Sequence, residues 1–207
     1  MNDSITRFWS LAAPVYDQPC LQRFVYRPPQ DEVIAALRRN GSRRVADIAC
    51  GTGILATRIA DELLPDEVYG VDASDGMLAE ARRRSSTVYW KKGPAEQLPF
   101  DDDFLDAVVT TSAFHFFDQP AALREFRRVL APGGFVAVAT VSPRRLLPAA
   151  LFDDSRWTVA HHPSAAAMCE LFEGAGLIVS DQHRVHRPVW TQLVPDLITI
   201  GVKPSPT

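Results

Sequence analysis

At 207 residues, 46% hydrophobic and 23% charged, the chain can bury one full core and has the make-up of a soluble globular domain. Its net charge of −3 lacks the basic excess that a nucleic-acid backbone demands, which argues against a nucleic-acid binder. Three scattered cysteines, Cys20, Cys50 and Cys169, and an N-terminus without a long apolar run point to a cytoplasmic protein with reduced thiols and no stable membrane anchor.

From Arg44 onward, short β-rich runs alternate with helical patterns, the signature of βαβ units around a parallel sheet. The first run is 44–49, followed by Gly51-Thr-Gly53 and a helix over 54–64. A second strand is expected over 67–72 and a helix over 74–84, whose closing Arg82, Arg83 and Arg84 suit the helix dipole as a solvated end. Residues 87–90 read as a third strand and 104–110 as a fourth. Asp118 and Pro120 open the next helix, with Leu123, Phe126, Val129 and Leu130 on its buried face, and Pro132-Gly133-Gly134 stops it before a fifth strand over 135–141. A helix over 164–173 and strands over 177–186 and 197–203 complete the pattern. Residues 1–30 are expected to form a helical segment covering the site, and 31–207 the single α/β domain.

Gly51-Thr-Gly53-Ile-Leu-Ala56 fits the G-x-G-x-x-A turn of dinucleotide-binding folds, with Asp72 at the distance of a ribose-binding acid. Asp47 separates two readings of that turn. A carboxylate just before the glycines would repel the pyrophosphate of a dinucleotide. It would instead favour S-adenosylmethionine, which has no phosphate and carries a positive sulfonium and a positive α-amino group.

Four segments in order carry a resemblance. Val45-Ala-Asp-Ile-Ala-Cys-Gly-Thr-Gly53 resembles the first motif of class I S-adenosylmethionine-dependent methyltransferases, and Val71-Asp-Ala-Ser-Asp-Gly-Met-Leu78 their second. Gly93-Pro-Ala-Glu-Gln-Leu-Pro-Phe100 and Arg128-Val-Leu-Ala-Pro-Gly-Gly134 are similar to the segments before strands four and five in the ubiquinone/menaquinone-biosynthesis branch. The resemblance implies a Rossmann-like, seven-stranded, mostly parallel sheet with the last strand antiparallel and helices on both faces. It implies that Asp47 and the Gly51-Thr52-Gly53 turn hold the methionine end and that Asp72 takes the ribose hydroxyls. Ala73 and Met77 would lie against the adenine, Ala95 would offer it a backbone N–H with Glu96 alongside, and Thr110 would line the methionine side. Ala49 replaces the first motif glycine, a mild change that narrows the backbone approach. Pro94 replaces an acid that would accept from the adenine amino group.

Methyl transfer displaces an already activated sulfonium, so the protein mainly positions the acceptor, and a base is needed only for a protonated one. His115, after the fourth strand, is the candidate base. Tyr16, with Asp17, resembles an N-terminal segment that folds over the cofactor. Phe114, Phe116, Phe117, Trp157, His161 and His162 are candidates for the acceptor side. His183 and His186 lie three apart on an expected strand and so point to opposite faces, which leaves no metal site in the expectation. The expected partner is a small-molecule acceptor. The Leu11-Ala-Ala-Pro-Val-Tyr-Asp17 start also resembles bacterial phospholipid N-methyltransferases, and a non-catalytic cofactor sensor and an NAD-dependent oxidoreductase are the remaining readings.

Overall fold

Runs such as Arg-Val-Ala-Asp-Ile (44–48) and Glu-Val-Tyr-Gly-Val-Asp (67–72) are buried along nearly their whole length, which requires helices over both faces of the sheet they form. A computed structural model describes residues 22–142, 161–187 and 195–205. Tyr16, Asp17 and Trp157 fall outside these residues. The strands are β1 (Arg44–Ile48), β2 (Glu67–Asp72), β3 (Tyr89–Lys92), β4 (Leu105–Thr111), β5 (Leu130–Val141), β6 (Ile178–Arg184) and β7 (Asp196–Val202), in the order β3-β2-β1-β4-β5-β7-β6. All neighbouring pairs from β3 to β5 are parallel, and β7 runs antiparallel to both β5 and β6. This is the seven-stranded Rossmann-like sheet that the motifs imply.

The helices are α1 (Arg27–Asn40, after one π-helical turn at Gln22–Tyr26), α2 (Ile54–Leu63), α3 (Asp75–Arg84), α4 (Gln119–Val129) and α5 (Ala165–Gly174). Side chains of Ser74, Asp118 and Ser164 accept from backbone N–H groups of α3, α4 and α5 and fix where each begins. Strand alternation splits the core in two. Val33, Leu37, Leu55 and Ile59 pack with Val45, Val109 and Ala137 on the α1/α2 face. Phe114, Leu123, Phe126, Met168 and Phe172 pack with Ile48, Val108 and Val138 on the α4/α5 face. The stripe that sends Val33, Ile34 and Leu37 into this core belongs to a helix that begins at Arg27, so residue 30 falls within α1.

Several boundaries differ from the expectation, most of them by a single residue. β3 starts two residues later, at Tyr89, because Ser85 and Thr87 spend their hydroxyls on each other and on a local backbone N–H. Leu130 does not close α4 but opens β5 opposite Leu105, and a register shift follows before Phe135 meets Ala107. Gly134 lies inside that strand, where an added Cβ would come within 2.9 Å of the Asp106 carbonyl oxygen; the glycine permits the close approach. The sixth strand ends at Arg184 rather than His186, a difference that matters for the histidines.

Candidate active site

The chain leaves β1 through a turn that right-handed backbone cannot make. Ala49 (φ 55°), Gly51 (φ 56°) and Gly53 (φ 81°) are all left-handed. Ala49 is therefore more than a mild replacement: an alanine held there is strained by on the order of 1 kcal/mol. Gly53 is doubly constrained, since a Cβ would meet the Trp90 ring at 2.4 Å. The turn is tied down from outside. Cys50 N–H donates to the Val71 carbonyl at 3.0 Å, and Arg84 Nε donates to the Thr52 carbonyl at 2.8 Å. Arg84 thus does more than end a solvated helix, and the only sequence signal for it was its place in an arginine run.

Asp72, at the end of β2, is buried and bridges two loops. Its Oδ2 accepts from Gly51 N–H at 2.9 Å and its Oδ1 from Ser74 N–H at 2.8 Å. Burial pushes its carboxyl above the usual range, against these N–H groups and that of Ala73. Asp47 sits beside Gly70 and Val109 in the ladder and is also buried. Burial first, and then the Asp72 charge, push its carboxyl well above the ordinary value; the Ala56 N–H in the first turn of α2 works the other way. Its Oδ2 has no hydrogen-bond partner among the described residues. An orphaned, buried carboxylate oxygen next to a glycine turn calls for a ligand that brings positive charge. The ammonium and sulfonium of S-adenosylmethionine fit that demand, and an anionic pyrophosphate does not. Burial and the same two acids push the Cys50 thiol up as well, which disfavours its thiolate.

Around this centre Thr52, Met77 and Ala95 are buried and Ala73 is half-buried. Glu96 is turned partly to other work, accepting from Asp118 N–H at 3.0 Å at the start of α4. Thr110 is fully buried on the α4/α5 face, opposite to the face that Asp47 takes on the adjoining strand.

The acceptor candidates gather over the ends of β4 and β5. His115 is buried in a short 3₁₀ turn (Phe114–Phe116), with Thr140 Oγ1 3.5 Å from its Nδ1. The Phe116 and His162 rings lie with centroids 4.1 and 4.9 Å from that of His115. His161 N–H donates to the His115 carbonyl at 2.7 Å, and Gln119 Nε2 donates to the His161 carbonyl at 2.7 Å. Phe116, His161 and His162 therefore do converge on His115. Phe114 and Phe117 lie in the core: both are buried and meet edge to face at 5.9 Å inside the α4/α5 cluster. A groove of about 620 Å³ between α4 and α5 takes in His161, His162, Arg124 and Glu170, but neither Asp47, Gly51 nor Asp72 lines it.

The argument that kept His183 and His186 apart is also corrected. Because β6 stops at Arg184, alternation does not reach His186, and the two rings lie 5.7 Å apart with both against Glu32.

Residues 46–138 match the family model described as a methyltransferase domain. An uncharacterized methyltransferase of Mycobacterium tuberculosis is 39% identical over 107 residues, 52% of this chain and 42% of its own length. A ubiquinone/menaquinone biosynthesis C-methyltransferase of Coxiella burnetii is 32% identical over 158 residues, 71% of this chain and 63% of that protein. The chain thus spans 42% and 63% of the length of these two relatives. A methyltransferase of Haloferax volcanii, solved with the Trm112 methyltransferase activator, superposes with a TM-score of 0.79 over 95% of this chain and 97% of its own at 22% identity. Residues 46–138 thus carry a methyltransferase domain, and motif and sheet order give the chain the fold of the class I S-adenosylmethionine-dependent methyltransferases.

Proposed function

We propose that the protein transfers a methyl group from S-adenosylmethionine to an O, N or S atom of a small, apolar or aromatic acceptor in the cytoplasm. The observation that carries this reading is the pair of buried acids at the glycine turn, one bridging two loops and one with an orphaned oxygen. The cofactor, when bound, supplies a methyl group already activated on a sulfonium.

The chain's own residues do the rest. Asp47 sets negative charge against the methionine end. Asp72 keeps Gly51 and Ser74 in place and has lone pairs left for the ribose hydroxyls, since each carboxylate oxygen can accept twice. Ala73, Met77 and the Ala95 backbone form the adenine wall, and Thr110 lines the methionine side. His115 takes the proton of a hydroxyl or phenol acceptor at a ring nitrogen, while Phe116, His161 and His162 position that acceptor. Tyr16 and Trp157 are assigned to the cover and the acceptor side by resemblance and place in the chain alone. The Coxiella relative is a C-methyltransferase, which adds carbon to the acceptor atoms worth testing. The cytoplasmic assignment draws support from free thiols at Cys50 and Cys169, and no described helix is long and apolar enough to cross a membrane.

The test is turnover. Cofactor and product should each bind and raise the melting temperature, and an acceptor panel should yield S-adenosylhomocysteine. Calorimetry that detects NAD but neither S-adenosylmethionine nor its product overturns the reading.

A further inference from the structure

We propose that Glu32, His183 and His186 form a binding site for one divalent transition-metal ion, zinc by ligand chemistry, separate from the glycine turn. Glu32 projects from the N-terminal half of α1, His183 from the end of β6, and His186 from the chain just beyond it. His186 Nδ1 lies 2.7 Å from Glu32 Oε1, and His183 Nε2 lies 3.4 Å from Glu32 Oε2. One ligand atom from each residue falls within 4.8 Å of the others. A tetrahedral zinc with bonds of about 2.0–2.1 Å spaces its ligands about 3.3–3.5 Å apart. The His186 side chain is 85% exposed and has room to turn toward that spacing.

A second observation points the same way. His183 is held from behind: its Nδ1 lies 3.2 Å from Asp181 Oδ2, two residues earlier on the same face of β6. A carboxylate on one imidazole nitrogen fixes the tautomer so that the other presents its lone pair, and metal-binding histidines are oriented in this way. Glu32 is likewise fixed, accepting the His186 backbone N–H at 3.2 Å. Two imidazoles and one carboxylate suit zinc, with water completing four ligands on the open side. The ion would clamp α1 to the sheet edge. Arg187 already anchors the chain there, donating to the Phe24 and Val25 carbonyls, each at 2.8 Å.

The test uses chelator-stripped full-length protein and zinc alone, followed by equilibrium dialysis and melting. One zinc per chain should bind and raise the melting temperature. His186→Ala, at an exposed position that leaves the fold intact, should weaken binding tenfold or more, and so should Glu32→Gln. Asp181→Asn should weaken it by about 10–100-fold through the His183 orientation. Cobalt(II) in the same site should show a tetrahedral spectrum without a thiolate charge-transfer band, which separates it from binding at cysteine. Absence of stoichiometric zinc, a thiolate band, or affinity unchanged in both His186→Ala and Glu32→Gln overturns the proposal. Calorimetry with S-adenosylmethionine on the same variants reads the glycine turn independently.

Discussion

The two ends of the candidate site are built differently, although both sit on strand ends of one sheet. At the cofactor end, Asp72 is joined to Gly51 and Ser74 by backbone N–H groups only 21 and 2 residues away. At the acceptor end, His115 meets Thr140 across 25 residues and Gln119 reaches His161 across 42. Backbone groups are the same whatever the side chain, so apart from the Arg84 tie a short pattern of glycines and acids builds the first. The second depends on which side chains the later loops bring back. A fold built this way can keep its cofactor and change its acceptor through those loops alone.

The largest effect that would test this division is at His115. With a hydroxyl or phenol acceptor, His115→Ala should lower turnover by about 10²–10⁴-fold and leave cofactor affinity nearly intact. The wild-type rate should rise with pH through one ionisation that is missing from the variant. Profiles differing only in height would reduce His115 to a wall of the site.

Next comes Asp72. Its loss removes an acceptor for the ribose, at about 1.5–3 kcal/mol for bonds to a charged group, so affinity should fall roughly tenfold or more in Asp72→Ala. Because the Gly51 and Ser74 N–H groups lose their acceptor too, the melting temperature should fall with it, and Asp72→Asn should recover part of both. A folded Asp72→Ala with unchanged affinity would break the idea that this end is held by backbone and acid together.

Asp47 offers a pH handle. Burial and Asp72 raise its carboxyl in the folded chain, so the native state keeps a proton that the unfolded state gives up. Its contribution therefore favours folding at low pH and is lost as pH rises from the ordinary carboxyl value through the raised one. A positively charged ligand expels that proton, so cofactor affinity should increase with pH over the same window. Calorimetry in two buffers of different ionisation enthalpy should show proton release in the wild type and none in Asp47→Asn. A flat pH profile would mean the cofactor's charge sits elsewhere.

The smallest effect is Ala49→Gly. Relief of the left-handed alanine is set against the greater freedom of an unfolded glycine, leaving a gain of at most about 1 kcal/mol, or about 2–4 °C for a chain of this size. A fall in melting temperature would show that the Ala49 methyl packs usefully.

These contrasts also explain what could be read from the residues alone. The alternation of strands and helices and the Asp47, Gly51 and Asp72 positions follow from local patterns whose geometry is nearly forced: a strand, a left-handed turn, a helix. The arrangement of the sheet was implied by the family resemblance alone. Arg84 on the Thr52 carbonyl was not legible, because a helix-end arginine has a sufficient explanation in the dipole and nothing local marks its partner. Phe114 could not be told from Phe116, since adjacent aromatics carry no label for core or cleft. The Glu32, His183 and His186 cluster was hidden by a strand boundary misplaced by two residues, beyond which alternation no longer applied.

One feature of the sheet bears on how the chain is made. The strand latest in sequence, β7, is interior, and β6 hydrogen-bonds to nothing in the sheet except β7. During synthesis β6 therefore waits without a ladder, and β5 offers a bare apolar edge, until residues 196–202 have left the ribosome. That interval is the one in which edge-to-edge misassociation is most open to a nascent chain. A stop codon just before Asp196 should therefore yield aggregates rather than a smaller domain.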